Sequence, residues 1–153
     1  MGRVPGRPIL LVENSPEDLE ITVRSLRMAG LNNPIVHCTD GDDALDYLYR
    51  RGAYCEHDAS WVPGIIFLDL NMPGTDGREV LEELKKDPDL KVIPIVVLTT
   101  SADERDVHDC YARGANSYIQ KPLDFEKFIQ AMARVRDYWF EVVIIPEQME
   151  RAQ

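Results

Sequence analysis

The sequence contains few cysteines and no pattern that would join them. Cys38, Cys55 and Cys110 are odd in number and widely spaced, and no C-x-x-C occurs. This spacing suggests neither a disulfide framework nor a zinc site. A reducing compartment is the simplest interpretation. Because residues 1–8 also lack the apolar stretch of a signal peptide, we expect a cytoplasmic protein.

Long apolar runs and positive charge are also scarce. No apolar run approaches the roughly 18 residues that a membrane-spanning helix needs. Lys and Arg number 17 against 27 Asp and Glu, so the formal net charge is -10. Nucleic acids and anionic membranes are bound by basic faces, and neither is expected as a partner. The surplus of carboxylates fits either functional acids or an ordinary solvated surface.

What the sequence does contain is a regular alternation of short apolar segments and amphipathic segments. Apolar runs predict buried strands at residues 9–12, 35–38, 65–68, 95–98 and 117–120. A helix is predicted after each strand, and the first begins with Ser15 as N-cap and Asp18 returning the bond as in a capping box. Five strand-then-helix units predict an α/β fold with a doubly wound parallel sheet.

Polar residues follow four of the five predicted strands. Glu13 and Asn14 follow the first strand, Asp69 the third, Thr99 the fourth and Lys121 the fifth. Sites in such sheets form at the carboxyl ends of strands, so these side chains are expected to share one cleft. Their oxygens suit Mg²⁺, and an aspartate there can attack phosphorus. Taken singly, each residue would be an ordinary cap, hydroxyl or surface charge.

Four segments at these positions resemble the signature blocks of bacterial response-regulator receivers. They are Val12-Glu13-Asn14, Leu68-Asp69-Leu70-Asn71-Met72-Pro73-Gly74-x-Asp76-Gly77, Leu98-Thr99-Thr100-Ser101 and Tyr118-x-x-Lys121-Pro122. The resemblance implies the flavodoxin-like receiver fold, with a five-stranded parallel sheet of order 2-1-3-4-5. It divides the chain into an N-terminal extension (1–7), a receiver domain (8–138) and a C-terminal arm (139–153).

The resemblance also implies a role for each strand-end residue. Asp69 resembles the phospho-acceptor, and Lys121 resembles the phosphate-binding lysine, whose bond to Pro122 is cis in the family. Thr99 and Tyr118 resemble the hydroxyl and the aromatic side chain that switch on phosphorylation. The implied Mg²⁺ ligands are Glu13, Asn14, Asp69 and the backbone carbonyl of Asn71. The family usually has a second carboxylate where this chain has an uncharged amide, so weaker metal binding is expected.

The implied function is that of a stand-alone response regulator, a signalling protein rather than an enzyme. It would accept a phosphoryl group from a histidine kinase and signal through protein contacts. The segments 76–81 and 94–101 resemble the regulators of phytochrome-type histidine kinases. Two alternatives stay open. The first is a pseudo-receiver, which would bind partners without phosphorylation. The second is a haloacid-dehalogenase-like phosphatase, a family that needs a second aspartate at the position of Asn71.

The C-terminal arm is apolar, although five strands and five helices already complete a receiver core. Its β-branched run predicts an extended strand, and an apolar segment without a place in the core marks an interaction surface. Related receivers of phytochrome kinases dimerise, some by exchanging such arms, so a homodimer is predicted. The alternative is that the arm folds back on its own chain. The predicted dimer contacts are Trp139, Phe140, Val142, Val143, Ile144 and Ile145.

The three histidines and Cys110 are expected to have surface or packing roles. His37, His57 and His108 stand in no recognisable phosphotransfer setting, so surface or packing roles are expected for them. Cys110 lies on the apolar side of the fourth predicted helix and is expected in the core.

Overall fold

The computed structural model describes residues 2–3, 7–55, 62–70, 72, 76–100, 103–121, 124–137 and 144–145. Within them the strands are β1 (Gly2–Arg3), β2 (Ile9–Val12), β3 (Ile35–Cys38), β4 (Ile65–Asp69), β5 (Ile95–Thr99), β6 (Ser117–Gln120) and β7 (Ile144–Ile145). The α-helices are α1 (Pro16–Met28), α2 (Gly41–Leu48), α3 (Gly77–Lys86), α4 (Glu104–Ala112) and α5 (Phe125–Val135). A single 3₁₀ turn, Gly52–Tyr54, is described in the loop before β4.

Five of these strands form a parallel sheet in the order β3-β2-β4-β5-β6. Counted from the first of the five, this is the order 2-1-3-4-5, and the predicted fold class is confirmed. The strands β2, β3 and β6 have the predicted bounds, while β4 and β5 each run one residue further, to Asp69 and Thr99. Both functional candidates therefore sit on the last residue of a hydrogen-bonded strand.

The sheet separates two apolar cores. In β4 and β5, all residues except the last one of each strand are apolar and have essentially no exposed surface. This is expected for central strands that are covered on both faces. Leu10 and Val12 pack with α2, α3 and α4, whereas the alternate residues Ile9 and Leu11 pack with α1 and α5. The alternation places Asp69 on the face of α1 and α5.

Short polar side chains fix where the helices begin. Ser15 Oγ accepts a hydrogen bond from the backbone N–H of Asp18, and Asp40 accepts one from Asp43 in the same way. The helices α3, α4 and α5 are capped likewise by Asp76, Asp103 and Asp124. The predicted N-cap at residue 15 is confirmed. Each helix start is thereby fixed relative to the strand end before it.

The two ends of the chain meet in a second, two-stranded sheet. Gly2 pairs with Ile145 and Arg3 with Ile144 in an antiparallel register. The extended conformation predicted for this part of the arm is confirmed for residues 144 and 145. Trp139, Phe140, Val142 and Val143 lie outside the described residues. In the described part of the chain, no helix is long and apolar enough to cross a bilayer.

Candidate functional site

Four polar side chains are buried where the sheet ends. Glu13 is 2% exposed, Asp69 6%, Thr99 0% and Lys121 7%. In the described part of the chain these four make up most of the buried polar residues, since the others are Thr22 and Ser25. Burying charge is costly unless it is paired. A cluster of two acids, a hydroxyl and an amine at one edge of an otherwise apolar sheet is therefore a candidate site.

The strand register brings these side chains together as the sequence predicts. Val12 of β2 lies opposite Leu68 of β4, so Glu13 comes level with Asp69 on the neighbouring strand. Adjacent strands are about 4.8 Å apart, which puts the two backbones within side-chain reach. On the other side of β4, Asp69 lies opposite Leu98, and Thr99 is the next residue of β5.

Lys121 is held in the cleft by both its backbone and its ammonium group. Its N–H donates to the Thr99 carbonyl oxygen at 2.6 Å, directly after β6 ends. Its Nζ lies 2.8 Å from Glu13 Oε1 and 2.9 Å from Asp18 Oδ2. Burial lowers the pKa of Lys121, but these hydrogen bonds and the charge of Asp69 raise it by more, so the pKa lies above its ordinary value. Lys121 is therefore a cation at neutral pH.

The backbone of Asp69 is packed against the start of α3. A Cβ at residue 77 would overlap the Asp69 carbonyl oxygen and lie 2.7 Å from Leu70 Cα, so only glycine fits there. The Gly77 N–H also donates to the Leu70 carbonyl oxygen at 3.2 Å. This close approach fixes the direction in which the chain leaves β4. The position of Asp69 at the end of β4 is therefore fixed by the backbone around it.

Both carboxylate oxygens of Glu13 accept hydrogen bonds. Oε1 receives Lys121, and Oε2 accepts from the Ser15 N–H at 3.3 Å. The Glu13 backbone is bonded as well, because its N–H donates to the Cys38 carbonyl oxygen and its own carbonyl lies 2.7 Å from His37 Nε2. Asn14 is exposed, in contrast to its neighbour. The amide is therefore open to solvent.

The remaining residues predicted for the site are only partly described. Tyr118 is half-buried, lies opposite Val97, and packs against the core beneath α2, α3 and α4. Asn71 and Pro122 lie outside the described residues, so the predicted ligand carbonyl and the predicted cis bond have no structural description. Leu70 and Met72, on either side of Asn71, are both buried.

Asp18 is the site residue that the sequence did not identify. The predicted return bond of the capping box, from the Ser15 N–H to the Asp18 carboxylate, is wrong, because the Ser15 N–H bonds to Glu13 instead. The Asp18 carboxylate turns instead to Lys121, 103 residues away in the chain. An acid three residues after a helix cap is a weak signal for such a contact, since the same spacing is satisfied by a local bond.

The charges of the cleft fit a divalent cation. Glu13, Asp18 and Asp69 bring three carboxylates, and Lys121 brings one ammonium, which leaves an excess of two negative charges. No group of three or more His, Cys, Asp or Glu placed to hold a metal occurs among the described residues. The predicted ligand set contains only two carboxylates, so its other oxygens must come from amide groups and water.

The described histidines and the two buried cysteines occupy surface or packing positions. His37 is half-buried in β3, with its ring against the Glu13 carbonyl, and His108 is on the outer side of α4. His57 lies outside the described residues. Burial raises the pKa of the Cys38 thiol to about 12, and it also raises that of Cys110. Cys110 is fully buried, so its predicted place in the core is confirmed.

Comparisons with known proteins agree with this geometry. A family model described as the response regulator receiver domain matches residues 9–150. Response regulator Rcp1 of Synechocystis sp. is 38% identical over 142 residues, which cover 93% of this chain and 95% of that protein. The crystal structure of the phosphorylated cyanobacterial phytochrome response regulator RcpA superimposes with a TM-score of 0.82, at 36% identity, covering 92% of this chain and 98% of the other. The Mn²⁺-bound form of Rcp1 gives 0.80 at 37% identity, covering 92% and 99%.

Proposed function

Because this chain belongs to the response regulator receiver domain family, we propose that Asp69 accepts a phosphoryl group from a histidine kinase. The observation that carries the proposal is the pairing of a buried strand-end aspartate with a buried lysine. Asp69 is 6% exposed, and its charge contributes to the raised pKa of Lys121. A carboxylate nucleophile beside a fixed cation is what phosphoryl transfer to an aspartate requires.

In the transfer, an oxygen of the Asp69 carboxylate attacks phosphorus. A new O–P bond forms while the bond from phosphorus to the kinase histidine nitrogen breaks, and its electron pair returns to the imidazole. The ammonium of Lys121 and the hydroxyl of Thr99 would donate to the phosphoryl oxygens. Both come from backbone positions fixed by the sheet, so little reorganisation is needed as charge shifts.

The proposed cofactor is Mg²⁺, held by Asp69, Glu13, Asn14 and the backbone carbonyl of Asn71. The excess negative charge of the cleft supports a divalent ion, and so does the Mn²⁺-bound form of the relative Rcp1. When bound, Mg²⁺ neutralises charge on the phosphoryl oxygens. Glu13 and Asp69 would supply the charge, while Asn14, at the solvent side, would supply a neutral oxygen.

The test is uptake of one phosphoryl group by the wild-type chain. The protein is incubated with a small phosphodonor such as acetyl phosphate, with Mg²⁺ or with a chelator, and its intact mass is measured. We expect one phosphoryl group per chain with Mg²⁺ and none with the chelator. A chain that stays unmodified with Mg²⁺ would be a pseudo-receiver, the interaction module that the neutral Asn14 suggests.

Asn14→Asp is expected to tighten Mg²⁺ binding by about tenfold, because a carboxylate attracts a divalent ion more strongly than an amide does. Titration calorimetry measures the change. Gln130→Glu, which adds the same charge on the exposed face of α5, is the matched control and should leave the affinity unchanged. If Asn14→Asp binds Mg²⁺ no more tightly than the control, Asn14 is not a ligand.

Phosphorylation is proposed to act through Thr99 and Tyr118. Thr99 is fully buried at the end of β5, and Tyr118 lies half-buried on the neighbouring strand. A phosphoryl group adds about -1.5 to -2 charge and strong acceptors. Movement of the Thr99 hydroxyl toward it would open space for Tyr118 to turn inward. The face formed by α4, β6 and α5 would then change shape, as a shift between two existing states.

The proposed kinase is of the phytochrome type, and the proposed place of action is the cytoplasm. The support for the kinase is similarity to regulators whose names refer to phytochromes, among them RcpA and the bacteriophytochrome response regulator RtBRR. Transfer from a purified phytochrome-type kinase should label the wild-type chain faster than an equal amount of an unrelated histidine kinase does.

A homodimer formed through the arm of residues 139–153 is also part of the proposal. The described part of the arm, Ile144–Ile145, is extended and pairs with Gly2–Arg3 of the same chain. A partner copy could supply the same strand in the same register, so exchange would keep every backbone bond. Closure about a two-fold axis would bury the apolar arm twice.

Truncation after Tyr138 is expected to halve the solution mass at micromolar concentration, as measured by light scattering. Truncation after Glu147 keeps the β7 strand and is the control, which should remain dimeric. A monomeric full-length protein would mean that the arm folds back on its own chain. A dimeric Tyr138 truncation would place the interface elsewhere.

A further inference from the structure

We infer that Asp18 is a positioning residue that holds the ammonium of Lys121 in place for the phosphoryl group on Asp69. The inference rests on the proposed phosphorylation of Asp69 and adds a residue to that site. It starts from one contact, the 2.9 Å distance between Lys121 Nζ and Asp18 Oδ2. The side chain of Lys121 is 8% exposed and that of Asp18 is 39% exposed, so this bond joins a buried ammonium to a partly exposed carboxylate.

The position of Asp18 is set by local structure. Asp18 is the third residue of α1, and its backbone N–H is fixed by the Ser15 hydroxyl at 3.3 Å. Pro16 fixes the backbone of the first helical residue. A carboxylate in the first turn of a helix is also stabilised by the positive end of the helix dipole. Asp18 thus presents a charged acceptor from a rigid element, not from a loop.

Alternation along the strands explains why α1 can reach the lysine. Asp69 follows Ile65 and Phe67 on the face of the sheet that α1 and α5 cover. The same alternation puts Lys121 on the side of Ile119, which also packs there. The start of α1 follows β2 and lies over this edge, so an acid in its first turn meets the lysine across the cleft.

Two acids share the lysine, and only one of them is a proposed metal ligand. Glu13 takes part in holding Mg²⁺ in the proposed function, and a divalent cation beside Glu13 would repel the ammonium bonded to it. Asp18 comes from the helix and not from a strand end, so its bond to Lys121 survives metal binding. The lysine stem is long and flexible, and without Asp18 its ammonium would then lose both anchors.

An ammonium has three N–H donors, and Glu13 and Asp18 take two of them. A phosphoryl oxygen on Asp69 needs one donor from the same group. Holding Lys121 at one fixed point before transfer lowers the ordering cost of the transition state. Asp18 therefore acts on the reaction through Lys121, the group to which its carboxylate is bonded.

The test measures the rate of phosphorylation by acetyl phosphate at saturating Mg²⁺. Asp18→Asn keeps the shape of the side chain and removes its charge, and the rate is expected to fall by about tenfold, the effect of a partly exposed charge-assisted bond. Glu20→Gln, an exposed acid of the same helix, is the matched control and should keep the wild-type rate. If Asp18→Asn also keeps that rate, the inference is overturned while the proposed function stands.

A double-variant cycle separates positioning from a structural effect on α1. In a Lys121→Met background, Asp18→Asn should change the rate by less than about twofold, because the group that it positions is gone. A tenfold loss that persists in that background would overturn the inference. Amine labelling at saturating Mg²⁺, with no phosphodonor present, gives a readout without phosphorylation. Lys121 should label several-fold faster in Asp18→Asn than in wild type, relative to the exposed Lys127, and an unchanged ratio contradicts the inference.

A wild-type chain that takes up no phosphoryl group would overturn the proposed function, and this inference with it. The two failures are therefore distinguishable by the wild-type measurement alone.

Discussion

Replacing Asp69 by asparagine is expected to abolish uptake of a phosphoryl group from acetyl phosphate. The amide has the shape of the carboxylate but is not a nucleophile toward phosphorus. The neighbouring Glu13 carboxylate is already bonded on both oxygens, to Lys121 and to the Ser15 N–H. The loss should exceed about a thousandfold, the scale of removing the reacting group itself. Intact mass after incubation with Mg²⁺ and donor measures it.

Two controls show whether a loss of uptake is specific to the Asp69 carboxylate. The Asp69→Asn chain should remain folded, because the cleft of Glu13, Asp18 and Lys121 loses one negative charge from an excess of two. Its free energy of unfolding should lie within about 1 kcal/mol of wild type, or above it. Asp46→Asn removes an acid from an exposed ion pair on α2 and should leave uptake unchanged. A base-labile phosphoryl group on the Asp69→Asn chain would contradict the assignment.

Replacing Lys121 by methionine is expected to lower the free energy of unfolding by about 3 kcal/mol, since removing one partner of a buried ion pair leaves the other charge uncompensated. The side chain of Glu13 is 2% exposed and 2.8 Å from Lys121 Nζ, so Glu13 bears most of this cost. The Asp18 contact adds little, because that side chain is 39% exposed. Urea denaturation without metal measures the difference.

The pH dependence of that difference follows from the raised pKa of Lys121. A group whose pKa is higher in the folded than in the unfolded state contributes fully below the unfolded value, about 10.4 for lysine. Its contribution is lost as pH rises through the folded value. The gap between wild type and Lys121→Met should therefore be constant from about pH 6 to 9 and shrink above about 10.4.

Mg²⁺ should restore part of the stability of Lys121→Met, since a divalent ion replaces the lost positive charge beside Glu13 and Asp69. The increase in unfolding free energy on adding Mg²⁺ should be larger for the variant than for wild type. Lys127→Met removes an exposed lysine of α5 and is the control for loss of a lysine as such. If the Lys121→Met chain is as stable as this control, the ion pair between Lys121 and Glu13 does not contribute to the free energy of unfolding.

The sheet was predictable because its strands are short, apolar on both faces and bounded by polar residues. The runs at residues 9–12 and 65–68 could not be amphipathic helices of ordinary length, and the residues after them are acids that end the apolar pattern. Strand order required the resemblance to a family. Once the order is known, parallel register alone brings Glu13 level with Asp69.

The contacts that the sequence did not predict are those between distant or weakly patterned segments. Asp18 satisfies a local capping pattern by its spacing, while its partner Lys121 lies on another element. The pairing of Gly2–Arg3 with Ile144–Ile145 joins two residues at each end, too few for any hydrophobic period to be read. Side chains that leave a strand end, such as Asn14, take a direction that depends on the loop and not on strand alternation.

The measurement that tests the central claim most directly is chemical mapping of the phosphorylated residue. Borohydride reduces an aspartyl phosphate to homoserine, so wild-type protein treated with acetyl phosphate and Mg²⁺ is reduced, digested and sequenced by mass spectrometry. The account predicts homoserine at position 69, absent when a chelator replaces Mg²⁺. Homoserine at another acid such as Asp18, or a phosphoryl group that borohydride does not reduce, would contradict it.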